Sequence, residues 1–96
     1  MVYILYYIIN YNNDLILNTT EMTASEYTAT KQCFACGSIS GVGQAAVWIG
    51  DTFIFGKSLT DTNDRLSFTI PLAKGNRLRI LVPSGGAILY HIFSSN

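Results

Sequence analysis

Few residues of this chain carry reactive chemistry. Cys33 and Cys36, in the run CFAC, form a single C-x-x-C, a spacing that serves disulfide exchange or half of a zinc site. Exchange needs a thiol whose pKa is lowered at a helix N-terminus, and zinc needs two further ligands. The flanks of CFAC are strand-like and the chain has one histidine, His91. In an extended strand, residues three apart point to opposite faces, so the two sulfurs diverge. The pair reads as two reduced, mostly buried thiols, which favours a reducing compartment of assembly over secretion.

His91 sits between apolar neighbours in Leu89-Tyr90-His91-Ile92-Phe93, the setting of a structural imidazole rather than of a base or ligand. Asp61 and Asp64, with Asp51, could offer carboxylates to a hard cation from polar loops, but they lack the spacing of an EF-hand. Serines are common, yet no G-x-S-x-G elbow occurs. Gly41-Val42-Gly43 and Gly85-Gly86 open no helix that would hold a phosphate and read as turns. Lys74, Arg77 and Arg79 make a small basic cluster, either a solvated strand face or partners for Asp61 or Asp64 of a neighbouring subunit. No catalytic residue, cofactor or metal is assigned, and the expectation is a protein that is not an enzyme.

These residues must be held by a small scaffold. A chain of 96 residues is one domain, and a domain of this size buries roughly 60 to 65% of its unfolded surface. Six basic and six acidic side chains cancel, and 12% of residues are charged while 49% are hydrophobic. A neutral surface so poor in charge has no electrostatic footprint for nucleic acid or an anionic membrane, but it suits lasting association.

The strongest local signal is Gln44 to Lys57, QAAVWIGDTFIFGK, two strands joined by a primed turn at Gly50-Asp51. Strict alternation from that turn opposes Ile49 to Thr52, Trp48 to Phe53, Val47 to Ile54 and Ala46 to Phe55. It predicts that Trp48, Phe53 and Phe55 share one buried face. Both faces are apolar, which predicts a second sheet on one side and a further layer or subunit on the other.

Around the hairpin, Arg65 to Ile70 alternates with Leu66, Phe68 and Ile70 inward, and Pro71 ends or edges that strand. Lys74-Gly75-Asn76 is a tight turn before Arg77 to Val82, where Leu78, Ile80 and Val82 share a face. Ala87 to Phe93 sets Ile88, Tyr90 and Ile92 on one side and Leu89, His91 and Phe93 on the other. Thr30-Lys31-Gln32 is a bend within Glu26 to Ser40. Strands at such intervals, with turn signals between them, predict an all-β fold, an antiparallel β-sandwich of jelly-roll kind. The polar run from Asn18 to Ser25 reads as a linker, which divides the chain into an N-terminal arm and linker, 1–25, and a sandwich, 26–96. Met1 to Tyr11, MVYILYYIINY, lacks the basic start and cleavage site of a signal peptide and is too short to span a bilayer. It reads as an additional apolar strand, either buried in the sheet or between subunits, or else docking on a partner by strand addition.

From Tyr27 onward the order of features resembles a module near the C-terminus of many bacteriophage tail-fibre and virion-surface proteins. The resemblance is carried by Tyr27-Thr28-Ala29-Thr30-Lys31 and by Val47-Trp48-Ile49-Gly50-Asp51, where such proteins often have an x-I-N-G-x turn. It continues in Phe68-Thr69-Ile70-Pro71-Leu72 with Lys74-Gly75-Asn76, and in the terminal aromatic strand. It covers about 70 of the 96 residues. Such jelly rolls look like the trimeric knobs of the tumour-necrosis-factor-like class. The resemblance implies a virion structural protein, a tail-fibre, head-fibre or capsid-decoration component assembled in the host cytoplasm. Its partners would be copies of itself, in a trimer, other virion proteins, and a host-surface glycan or protein. The alternative is a free-standing carbohydrate-binding, lectin-like module. The residues expected at assembly contacts are Tyr3, Tyr6, Tyr7, Trp48, Phe53, Phe55, Tyr90 and His91.

Overall fold

The computed structural model describes residues 17–95. Its elements are β1 (Leu17–Met22), β2 (Glu26–Thr28), β3 (Cys33–Ser40), β4 (Gly43–Ile49), β5 (Thr52–Leu59), β6 (Arg65–Leu72), β7 (Arg77–Leu81) and β8 (Ala87–Ser95). They form two antiparallel four-stranded sheets, in the orders β1-β8-β3-β6 and β2-β7-β4-β5. Successive strands mostly alternate between sheets, and the first lies beside the last, which is the winding of an eight-stranded jelly roll. The all-β sandwich expected from the turn spacing is therefore present.

Period-two alternation builds the core. The inward residues include Cys33, Ala35 and Ile39 of β3, Ala45 and Val47 of β4, Phe68, Ile70 and Leu72 of β6, Leu78 and Ile80 of β7, and Tyr90 and Ile92 of β8. Tyr90 and Phe68 stack at a tilt, with ring centroids 6.0 Å apart. The Tyr90 hydroxyl reaches the sandwich rim and donates to the Ala24 carbonyl at 2.8 Å, so the buried ring leaves no polar atom stranded. Pro71 lies on β6, which is the outermost strand of its sheet among the described residues, a position that tolerates a residue without an N–H.

Three local features differ from strict alternation. First, the hairpin pairs Trp48 with Phe53 but Val47 with Phe55 and Ala46 with Gly56, so Ile54 is an extra residue in a β-bulge. Phe53 and Phe55, which alternation puts on one face, are thereby turned to opposite faces. Phe55 packs against the core, whereas Phe53 is 58% exposed. Second, β1 is a strand of the sandwich, paired with β8 from Leu17↔Ser95 to Met22↔Tyr90. The sandwich thus takes in Asn18 to Met22, residues that composition assigns to the linker Asn18 to Ser25, because a strand at the side of a sheet needs few apolar residues to hold its place. Third, Lys57 of β5 pairs with Asp64 across the β5–β6 loop rather than facing solvent alone.

The turn at Gly50-Asp51 has a positive φ, 59°, at Gly50 and none at Asp51, the pattern of a type II′ hairpin turn. Gly75 likewise supplies φ 90° in the turn before β7. The apolar segment Met1 to Tyr11 lies outside the described residues, and with it Tyr3, Tyr6 and Tyr7.

Candidate binding face

The residues picked out by type divide among three places. Phe55 and Tyr90 belong to the interior: Phe55 is half-buried against the core, and Tyr90 is wholly enclosed within one chain. The Tyr90 side chain is therefore not at a subunit contact, because its inward register leaves it nothing to offer outside. His91 lies on the outward side of the β1-β8-β3-β6 sheet, and Trp48 and Phe53 lie on the outward side of the other sheet, away from the core cluster. The structure brings Trp48 and Phe53 together and separates them from His91 by the thickness of the sandwich.

On the β1-β8-β3-β6 sheet, the outward rows follow from the register. Phe93 faces Phe34, which faces Pro71; His91 faces Cys36, which faces Thr69; Leu89 faces Ser38. Glu21 of β1 completes the middle row, its carboxylate 3.7 Å from His91 Nε2. Phe34 and Leu89 are exposed. Cys36 is on this side yet 3% exposed, and its Sγ donates to Thr69 Oγ1 at 3.4 Å. Burial pushes the Cys36 thiol up, partly opposed by the Thr69 bond, so the thiol stays protonated although an imidazole and a carboxylate share its row. Cys33 points the other way, into the core, and burial raises its pKa as well. Both thiols are free and buried, with sulfurs on opposite sides of the sheet. Among the described residues no group of three His, Cys, Asp or Glu is placed to hold a metal.

The outward side of the β2-β7-β4-β5 sheet is built differently. Register sets Glu26 beside Arg79, Arg79 beside Trp48, and Trp48 beside Phe53, one row across four strands. Trp48 and Phe53 meet edge to face, with centroids 5.8 Å apart and planes at 72°. The Arg79 guanidinium lies over the Trp48 ring, 5.6 Å from its centroid. Arg79 Nη1 also donates to the Gly50 carbonyl at 2.9 Å and faces the Asp51 carboxylate at 3.5 Å. Glu26 pairs with Arg77 at 3.3 Å. Glycine at position 56 keeps the row open: a Cβ there would come within 3.3 Å of the Phe53 ring, which leans over the backbone. A cleft of about 200 Å³ opens beside the row, lined by Ser25, Glu26, Trp48, Arg79, Ile80 and Leu81.

The two arginines of the basic cluster therefore find acids within their own chain. Arg77 pairs with Glu26 and Arg79 with Asp51, whereas Asp61 and Asp64 are taken up elsewhere. Asp61 accepts from the backbone N–H groups of Asn63 and Asp64. Asp64 takes Lys57 at 2.7 Å and the Thr60 N–H at 3.1 Å. The Lys57 hydrogen bond, with help from Thr60, holds the Asp64 carboxyl down at about 2. These carboxylates close a loop rather than gather at one point.

The hairpin turn already opposes Trp48 to Phe53, but nothing local reveals the Glu26–Arg79–Trp48 part of the row, whose members come from strands that are not sequential in the sheet. No family model, curated protein or solved structure matches the chain, so its function is argued from these faces.

Proposed function

We propose that this chain is a virion structural protein, of the tail-fibre, head-fibre or capsid-decoration kind its sequence resembles, acting by binding and not by catalysis. It works as a homo-oligomer, a trimer by the resemblance, joined to other virion proteins and carrying a surface for the host. The reading is supported above all by the outward side of the β1-β8-β3-β6 sheet, where an exposed Phe34 faces a half-exposed Phe93, and Leu89 stands exposed beyond the intervening His91–Cys36 row. Phe34 and Phe93, in register across two adjacent strands, make an apolar patch that a second copy covers better than water does. The two free thiols fit assembly in the reducing host cytoplasm. Sedimentation of the purified protein at micromolar concentration tests this. The expected result is an oligomer that Leu89→Glu reduces to monomer; a wild-type monomer would remove the reading.

A free-standing carbohydrate-binding module is the second reading. It is favoured by the outward aromatic pair on the other sheet, a half-buried Trp48 and an exposed Phe53, beside acid and guanidinium groups.

A further inference from the structure

We propose that the cleft on the outward side of the β2-β7-β4-β5 sheet is a subsite for one neutral pyranose ring, held against Trp48 and Leu81 by Glu26 and Arg79. The proposal rests on the attachment role suggested above and gives that role a place and a ligand class. Three properties of the row lead to it.

The first is its charge. Glu26 with Arg77 and Asp51 with Arg79 make two acid–base pairs, so the face carries hydrogen-bonding groups of both signs and no net charge. A phosphate polymer or an anionic lipid surface gains nothing from such a face. A sugar suits it, because each hydroxyl both donates and accepts: the carboxylate takes its protons and the guanidinium fork gives to its oxygens. The second is the aromatic step. The indole of Trp48, with Leu81 beside it, gives the cleft an apolar wall for the polarised C–H face of a pyranose, while its equatorial hydroxyls point outward to the charged groups. The third is rigidity and size. Arg79 is fixed by Gly50 and Asp51 before any ligand arrives, which reduces the ordering cost of binding. The cleft, about 200 Å³, is below the roughly 300–1,000 Å³ of sites that enclose a larger ligand, so it fits one ring.

A second copy of the chain is the competing occupant. It would have to strip water from four charged side chains to bury Phe53 and Leu81, whereas sugar hydroxyls replace that water bond for bond.

The chain has one tryptophan, so its emission reports this cleft alone. Titrating the oligomeric protein as purified with the methyl glycosides of glucose, galactose, mannose and N-acetylglucosamine should give, for at least one, a saturable change in emission. A midpoint in the millimolar range is expected, weakened about tenfold or more in Leu81→Ser and in Glu26→Gln. Both substitutions fall on exposed side chains, and thermal melts followed by circular dichroism confirm that the variants are folded. No saturable change with any of the four glycosides, or an equal change in both variants, overturns the subsite. A Phe53→Ala protein that sediments as a smaller species than wild type also overturns it, since the face is then a contact between copies. A monomer that still binds sugar leaves the subsite standing and removes the oligomer instead.

Discussion

Phe68 and Phe53 offer the sharpest test of which face of the hairpin sheet is core. Phe68 is 1% exposed, and its ring meets Tyr90 at 6.0 Å between the two sheets. Truncating such a residue to alanine costs about 3–5 kcal/mol, from lost transfer energy and the cavity left behind. A domain of 96 residues has a total stability of roughly 5–14 kcal/mol, so Phe68→Ala removes a large share of it. At roughly 4 °C or more per kcal/mol, the Tm should fall by about 12 °C or more. Phe53 is 58% exposed. With under half of the side chain withdrawn from water, its burial is worth about 0.6–1.3 kcal/mol, and its edge contact with Trp48 adds a term of similar order. The half-buried Phe55 should fall between them. Urea melts of the three alanine variants, analysed with a common slope, rank the costs as Phe68, Phe55, Phe53. An unbulged hairpin with Trp48, Phe53 and Phe55 on one buried face predicts instead that Phe53→Ala costs as much as Phe68→Ala. Equal costs, or a larger one for Phe53, would refute the bulge at Ile54 and the outward row built on it.

Two further outcomes follow from buried titrating groups. Burial, with a smaller contribution from Tyr27, raises the Tyr90 phenol to about 12, while the unfolded chain ionises near 10. The native state therefore holds its proton longer than the unfolded one, so this contribution to stability is complete below pH 10 and is lost as pH rises towards 12. Alkaline melts of wild type should weaken across that window, and Tyr90→Phe should flatten the dependence; an unchanged slope counts against the burial of Tyr90. Cys33 and Cys36, buried and with pKa values raised, should react with a thiol reagent at neutral pH only as fast as the chain opens. Rapid labelling of native protein, matching that of denatured protein, would place a thiol at the surface.

Much of the scaffold was legible because its strands alternate and its turns use residues with a local mechanism. Leu66, Phe68 and Ile70 face inward as their period requires, as do Leu78 and Ile80, and Gly50 and Gly75 take the positive φ their turns demand. The bulge left no mark in the sequence, because Phe53, Ile54 and Phe55 are all apolar and either register buries something. β1 was hidden for the opposite reason. LNTTEM has little apolar content, and its place is fixed by β8, more than sixty residues away in sequence. The binding row was beyond reach for a third reason. Glu26 meets Arg79 and Arg79 meets Trp48 through the sheet order β2-β7-β4-β5, which no local pattern encodes.

That winding also sets the order in which the molecule can be made. Among the described residues β1 pairs with β8 alone, and β8 is the strand that joins β1 to β3. During synthesis the first described strand waits through the whole of β2 to β7 for its neighbour, while β3 keeps one bare edge until the same moment. The half belonging to β2, β7, β4 and β5 can close as soon as β7 emerges, but the other half cannot close before residues 87–95 have left the ribosome. Few of its pairings are local, so folding is slow by the measure of contact order. A nascent chain stalled short of β8 presents unpaired strand edges to its neighbours on the polysome. For a protein whose finished form keeps Phe34 and Leu89 at its surface, that interval is when premature association is most dangerous, and dilution or a holding chaperone should raise the yield most.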